Sequence, residues 1–136
     1  MVKELVHDPI LLGRASTAAG KEDLDTAQDL LDTLLAHRET CVGMAANMIG
    51  VHKRVIVFDN GGEPMLMLNP EIVSASGEYE TEEGCLSLEG VRKTIRYEKI
   101  TVTYQDHAFK PQTNTFTGYV AQIIQHEVDH CDGILI

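Results

Sequence analysis

Near the end of the chain stand His126-Glu127-Val128-Asp129-His130. On an α-helix, residues four apart are separated by about 40° of rotation, so both imidazoles face one point. Glu127 lies about 60° round from His130, within reach of a water held between the two rings by a metal. The H-E-x-x-H spacing therefore reads as a divalent-metal site with a carboxylate general base. Only Cys131 to Ile136 follow it, so no third ligand is expected from a later helix. It must come from upstream.

The upstream candidates are Cys41, Cys85 and the histidines His7, His37, His52 and His107. These histidines fall in stretches that read as surface turns or helix ends, where a solvated side chain is the simpler reading. Cys131 adjoins His130 but points about 100° away from it on a helix. Cys85 lies in Glu82-Glu83-Gly84-Cys85-Leu86-Ser87-Leu88-Glu89-Gly90, bracketed by glycines that let backbone approach closely. A thiolate beside two imidazoles makes a site with one open position. On spacing alone, Cys85 and Cys41 compete for that place on even terms.

The elements that position these residues form one domain, 1–136, since 136 residues hold a single core. A hydrophobic fraction of 43% fits a folded chain. No apolar run approaches membrane-spanning length, and the N-terminus lacks a signal-peptide core, so a cytoplasmic protein without membrane contact is expected. With 21 acidic and 11 basic side chains the net charge is -10, and no basic cluster exists to displace counterions from nucleic acid. Three widely spaced cysteines do not suggest a disulfide framework.

From Glu22 to Arg38, Leu24, Ala27, Leu31, Leu34 and Leu35 recur at helical spacing. Val55 to Phe58 reads as a buried strand, turned at Asn60-Gly61-Gly62 into a second strand, Met65 to Leu68. Ile72 to Ala75 and Ile100 to Tyr104 read as further strands, and His107 to Asn114, with Pro111, as a loop. The last helix runs from an N-cap at Thr117 to a stop near Gly133, apolar on two stripes. The expected fold is α+β: mixed or antiparallel strands surrounding a buried C-terminal helix that carries the metal motif.

Three segments together resemble the peptide deformylase family, whose patterns are G-x-G-x-A-A-x-Q, E-G-C-L-S and Q-H-E-x-D-H. Here they read Cys41-Val42-Gly43-Met44-Ala45-Ala46-Asn47-Met48, Glu83-Gly84-Cys85-Leu86-Ser87 and Gln125-His126-Glu127-Val128-Asp129-His130. The resemblance runs from about Asp8 to the C-terminus. It implies a metal-dependent hydrolase that removes the N-formyl group from the N-terminal Met of nascent chains. Cys85, His126 and His130 would bind one divalent metal, typically Fe(II), with Zn, Ni or Co accepted. Glu127 would be base and then acid, and the backbone N–H of Leu86 would donate to the developing oxyanion. Val42 and Gly43 would pair with the substrate as an added strand. Tyr119, Gln122 and Ile123 are candidates for its side-chain pocket, although Gln122 also suits a path to solvent. Asp129 would pair with Arg96.

The first segment departs from the pattern twice, with Cys41 for Gly and Met48 for Gln. In the family that Gln helps bind the oxyanion, and a thioether has no N–H to donate. Substrate-binding Met48 therefore raises an alternative, a degenerate homologue that binds metal and formyl peptide with little turnover. A general zinc endopeptidase is disfavoured by the missing downstream ligand. Many bacterial members extend past the motif helix toward ribosome contact; a chain stopping at Ile136 is expected to lack that route. Nothing in the sequence sets an oligomeric state.

Overall fold

The computed structural model describes residues 1–136 except Leu86, with the backbone alone for Leu88 and Glu89. Five strands, β1 (Gly43–Ala45), β2 (Val55–Asn60), β3 (Glu63–Cys85), β4 (Leu88–Gln105) and β5 (Pro111–Thr117), pair in chain order. Every neighbouring pair is antiparallel. Around them lie α1 (Pro9–Leu12), α2 (Leu24–Ala36) and α3 (Gly118–Cys131). This is the expected α+β fold with its C-terminal motif helix, built on one antiparallel sheet.

β2 explains the layering. Its side chains alternate between faces, as a strand requires. Val55 and Val57 join Leu12, Leu30, Leu34 and Met44 in one cluster on the α2 side. Ile56 and Phe58 join Ala121, Ile124 and Val128 of α3 in another. A strand buried on both faces needs a continuous apolar run, and Val55-Ile56-Val57-Phe58 is one. The sheet thus lies between α2 and α3, with α3 packed on β1, β2, β4 and β5.

The turn between β2 and β3 holds two residues, since Asn60 pairs with Glu63. Gly61 and Gly62 take φ of 65° and 103°, the left-handed values a tight hairpin demands. β3 and β4 are far longer than the short apolar runs that announce them. Register shifts at Leu68/Glu71, Ile72/Ser74 and Gly84/Cys85 let so long a ribbon bend around the helix. The loop expected over His107 to Asn114 is corrected: β5 begins at Pro111. Proline is tolerated there because it opens an edge strand, where a missing N–H costs no ladder bond.

Gln125 ties α3 to the sheet from within the helix. Its Oε1 accepts from Tyr97 N–H at 2.8 Å and its Nε2 donates to Tyr97 O at 2.8 Å. The helix ends as the sequence predicts. Gly133, at φ 74°, donates to His130 O, and Ile134 N–H donates to Asp129 O at 2.9 Å. Asn47 donates from Nδ2 to His130 O at 3.0 Å. The N-terminal segment braces the other side: Val6 N–H donates to Met48 O at 2.8 Å, and His7 Nδ1 lies 3.0 Å from Ser87 O.

Candidate metal centre

Cys85 ends β3, and His126 and His130 lie one turn apart on α3. Their ligand atoms all lie within 4.8 Å of one another. His126 Nε2 is 3.1 Å from His130 Nε2, and Cys85 Sγ is 3.4 Å from His130 Nε2. Tetrahedral bonds of about 2.0–2.1 Å to nitrogen and 2.3 Å to sulfur give edges of about 3.3 and 3.6 Å. The donor spacing fits a divalent ion held by one thiolate and two imidazoles. Among the described residues no other such group of His, Cys, Asp and Glu forms. Cys41, the competing sulfur, lies outside it.

The two rings have opposite electrostatics. Burial opposes a charge on His126, but its bonds to Cys85 and Glu83 and the nearby Glu127 hold its pKa up at about 10. Burial, reinforced by the charge on His126, pushes His130 down to about 3. A cation bound between such donors would displace the protons they hold.

Glu83 is the organising residue that sequence reasoning passed over. Its Oε1 accepts from His126 Nδ1 at 2.8 Å, and its Oε2 accepts from Gln122 Nε2 at 2.9 Å. Arg96, 4% exposed, donates to it from Nε and Nη2. Burial raises the Glu83 carboxyl, but these donors outweigh it and hold its pKa at about 2. Arg96 also donates to Asp129 at 2.6 Å, as expected of that pair. Gln122 does not run to solvent; it is bound to Glu83. A signal was present, since Glu83 and Cys85 lie two apart on a strand and so share a face.

A cavity of about 570 Å³ opens beside the cluster. Val42, Gly43, Tyr119 and Ile123, the expected substrate contacts, all line it, together with Cys41, Cys85, His126 and Glu127. Glu127 is 4% exposed, and its Oε1 has no hydrogen-bond partner among the described residues. Burial, then the charge of Glu83, raises its carboxyl to about 7, with His126 pulling the other way. A carboxyl poised near neutrality takes up and returns a proton with little loss.

Gly43 makes room for that carboxylate. A Cβ there would meet Glu127 Oε2 and Ile123 Cγ2, each at 2.8 Å. Met48 is placed differently from the other candidates. It is 1% exposed, in the apolar cluster that Cys85 packs against, and is not among the described residues lining the cavity. Its Sδ accepts from Ala45 N–H at 3.5 Å. Leu86, the expected backbone donor, lies outside the described residues.

A cysteine on a strand facing an H-E-x-x-H helix, with a buried carboxylate beside an edge strand, marks the chain as a metallohydrolase by class. The profile of the polypeptide deformylase family matches residues 4–136. The peptide deformylase of Clostridium beijerinckii is 53% identical over 136 residues, covering 100% of both chains. That of Dictyoglomus thermophilum is 37% identical over 143 residues, covering 100% of this chain and 91% of its own. The Thermotoga maritima peptide deformylase structure superposes with a TM-score of 0.87 at 32% identity, over 99% of this chain and 95% of the other. The Acinetobacter baumannii class I type b enzyme bound to Met-Ala-Ser gives a TM-score of 0.88 at 28% identity, over 99% and 97%. The chain belongs to the polypeptide deformylase family. Members are metal-dependent hydrolases that remove N-formyl groups, which leaves the general zinc endopeptidase without support.

Proposed function

We propose that this chain hydrolyses the formyl amide at the N-terminal Met of nascent proteins, with Cys85, His126 and His130 as its metal ligands. The observation that carries the reading is the buried Glu127 carboxylate. Glu127 lines the cavity that Cys85 and His126 also line, and its Oε1 is buried without a hydrogen-bond partner among the described residues. The bound metal, Fe(II) by family resemblance with Zn, Ni or Co as substitutes, supplies Lewis acidity and an activated water at neutral pH.

The chain's own residues do the rest. Glu127 takes the proton of the attacking water and passes it to the departing amine, and burial keeps its affinity for that proton in the working range. Glu83 fixes the His126 ring through Nδ1 and so presents Nε2 to the ion. The free edge of β1 at Val42 and Gly43 receives the peptide as an added strand. Ile123 and Tyr119 give the cavity an apolar wall suited to methionine. The Leu86 backbone N–H is the proposed oxyanion donor. Among the described residues no helix is long and apolar enough to cross a membrane, and a nascent-chain substrate fits a cytoplasmic enzyme.

The test is formate release from formyl-Met-Ala-Ser by protein loaded anaerobically with Fe(II). The wild type should turn over, while Glu127→Gln should bind metal equally and lose most of kcat. Equal rates for the two would overturn the role of Glu127. No formate from either would overturn the activity.

A further inference from the structure

β1 is the first strand of the sheet and, among the described residues, pairs with β2 alone. Val42 O accepts from Asp59 N–H at 2.8 Å, and Met44 faces Val57. Antiparallel ladders alternate, so the N–H and C=O of Gly43, opposite Phe58, turn away from β2. That carbonyl is already engaged: the Cys41 thiol donates to Gly43 O at 3.0 Å. Cys41 and Gly43 line the same cavity as Cys85, His126 and Glu127, so the contact lies on the side from which a ligand would reach those residues.

We propose that Cys41 sets the cavity's affinity for peptide by competing with the incoming strand for the carbonyl of Gly43. The inference rests on the reading that peptide adds to the edge of β1. An added strand brings an N–H to within about 2.9 Å of its acceptor. A sulfur 3.0 Å from that oxygen occupies part of the approach. Binding therefore requires the thiol to rotate away and give up its bond. A thiol is a weak donor, so the barrier is low; a hydroxyl in its place would hold the carbonyl harder.

Two variants bracket the effect. For formyl-Met-Ala-Ser, Cys41→Ala should lower KM by about 2- to 10-fold, the range of one neutral hydrogen bond. Cys41→Ser should raise KM above the wild-type value. In both, kcat should move by less than about twofold, because the contact is lost on binding and not in the chemical step. KM values that do not rank Ala below Cys below Ser, or effects confined to kcat, would overturn the proposal. Peptides N-methylated in turn at each amide after the formyl-methionine separate it from the reading beneath it. If N-methylation raises KM but the Cys41 variants match the wild type, only the role of Cys41 fails. If N-methylation changes nothing in any variant, strand addition itself fails, and the proposal with it.

Discussion

Glu83 Oε1 and His126 Nδ1 lie 2.8 Å apart, and this contact determines which ring nitrogen faces His130. With Nδ1–H donating to the carboxylate, Nε2 is left at 3.1 Å from its counterpart on His130. The carboxylate is itself held by Arg96 and Gln122, so the ring cannot turn without giving up its bond to a fixed, buried partner. The strand that delivers Cys85 thus also delivers the group that aims a histidine of α3.

Replacing Glu83 by Gln keeps the shape and removes the charge. Loss of such an orienting carboxylate typically weakens metal affinity by about 10- to 100-fold. Competition against a chromophoric chelator should give a fall in that range for Glu83→Gln and a fall at least as large for Glu83→Ala. Unchanged affinity in both would show that the ring holds its orientation without Glu83.

The same carboxylate sets an acid limb of stability. Its pKa in the folded chain, about 2, lies below the ordinary 4.5. A depressed acid stabilises the fold above its unfolded pKa and loses that contribution as pH falls toward its folded one. Denaturant midpoints of metal-free wild type and Glu83→Gln should therefore differ most at neutral pH. The gap, on the order of 3 kcal/mol, should close as pH falls from 4.5 to about 2. A gap independent of pH would assign the loss to packing instead of charge.

Gly43→Ala should disable the carboxylate without disturbing the metal. The added Cβ would stand 2.8 Å from both Glu127 Oε2 and Ile123 Cγ2, so one or both must shift. A displacement of about 1 Å near the chemistry can cost on the order of 10²-fold. Formate release should fall by about that factor, read as kcat, while metal content stays at the wild-type level. Retained kcat would mean that Glu127 accommodates the methyl and keeps its function.

How much of this was legible depended on where the information lay. H-E-x-x-H carries its own geometry, because helical spacing alone aims His126 and His130 together. The apolar run of β2 likewise announces a strand covered on both faces. Cys85 needed a fold to bring it 3.4 Å from His130, a relation across 45 residues that no local pattern contains. Gln125 looks like any polar helical residue until Tyr97 supplies both its partners. β5 was missed because an edge strand with only Phe116 packed into the core has little apolar alternation to display. Glu83 was visible but unassigned; its meaning depends on which face of β3 looks at α3.

Met48 stands where the G-x-G-x-A-A-x-Q pattern has Gln, and its surroundings give a change to Gln two opposing consequences. The thioether packs in an apolar cluster that Cys85 also packs against, and it accepts from the Ala45 N–H at 3.5 Å. Gln has a similar length, and its carbonyl could accept that same N–H and leave an N–H₂ group to donate. An oxyanion donor is worth about 10²–10³-fold in turnover where its geometry is right. An amide in an apolar cluster costs about 1–3 kcal/mol where a partner is missing. Met48→Gln should therefore raise kcat for formyl-Met-Ala-Ser by at least about tenfold and lower the denaturant midpoint. Lower stability with unchanged kcat would mean that residue 48 is a packing position here and that the oxyanion is held without it.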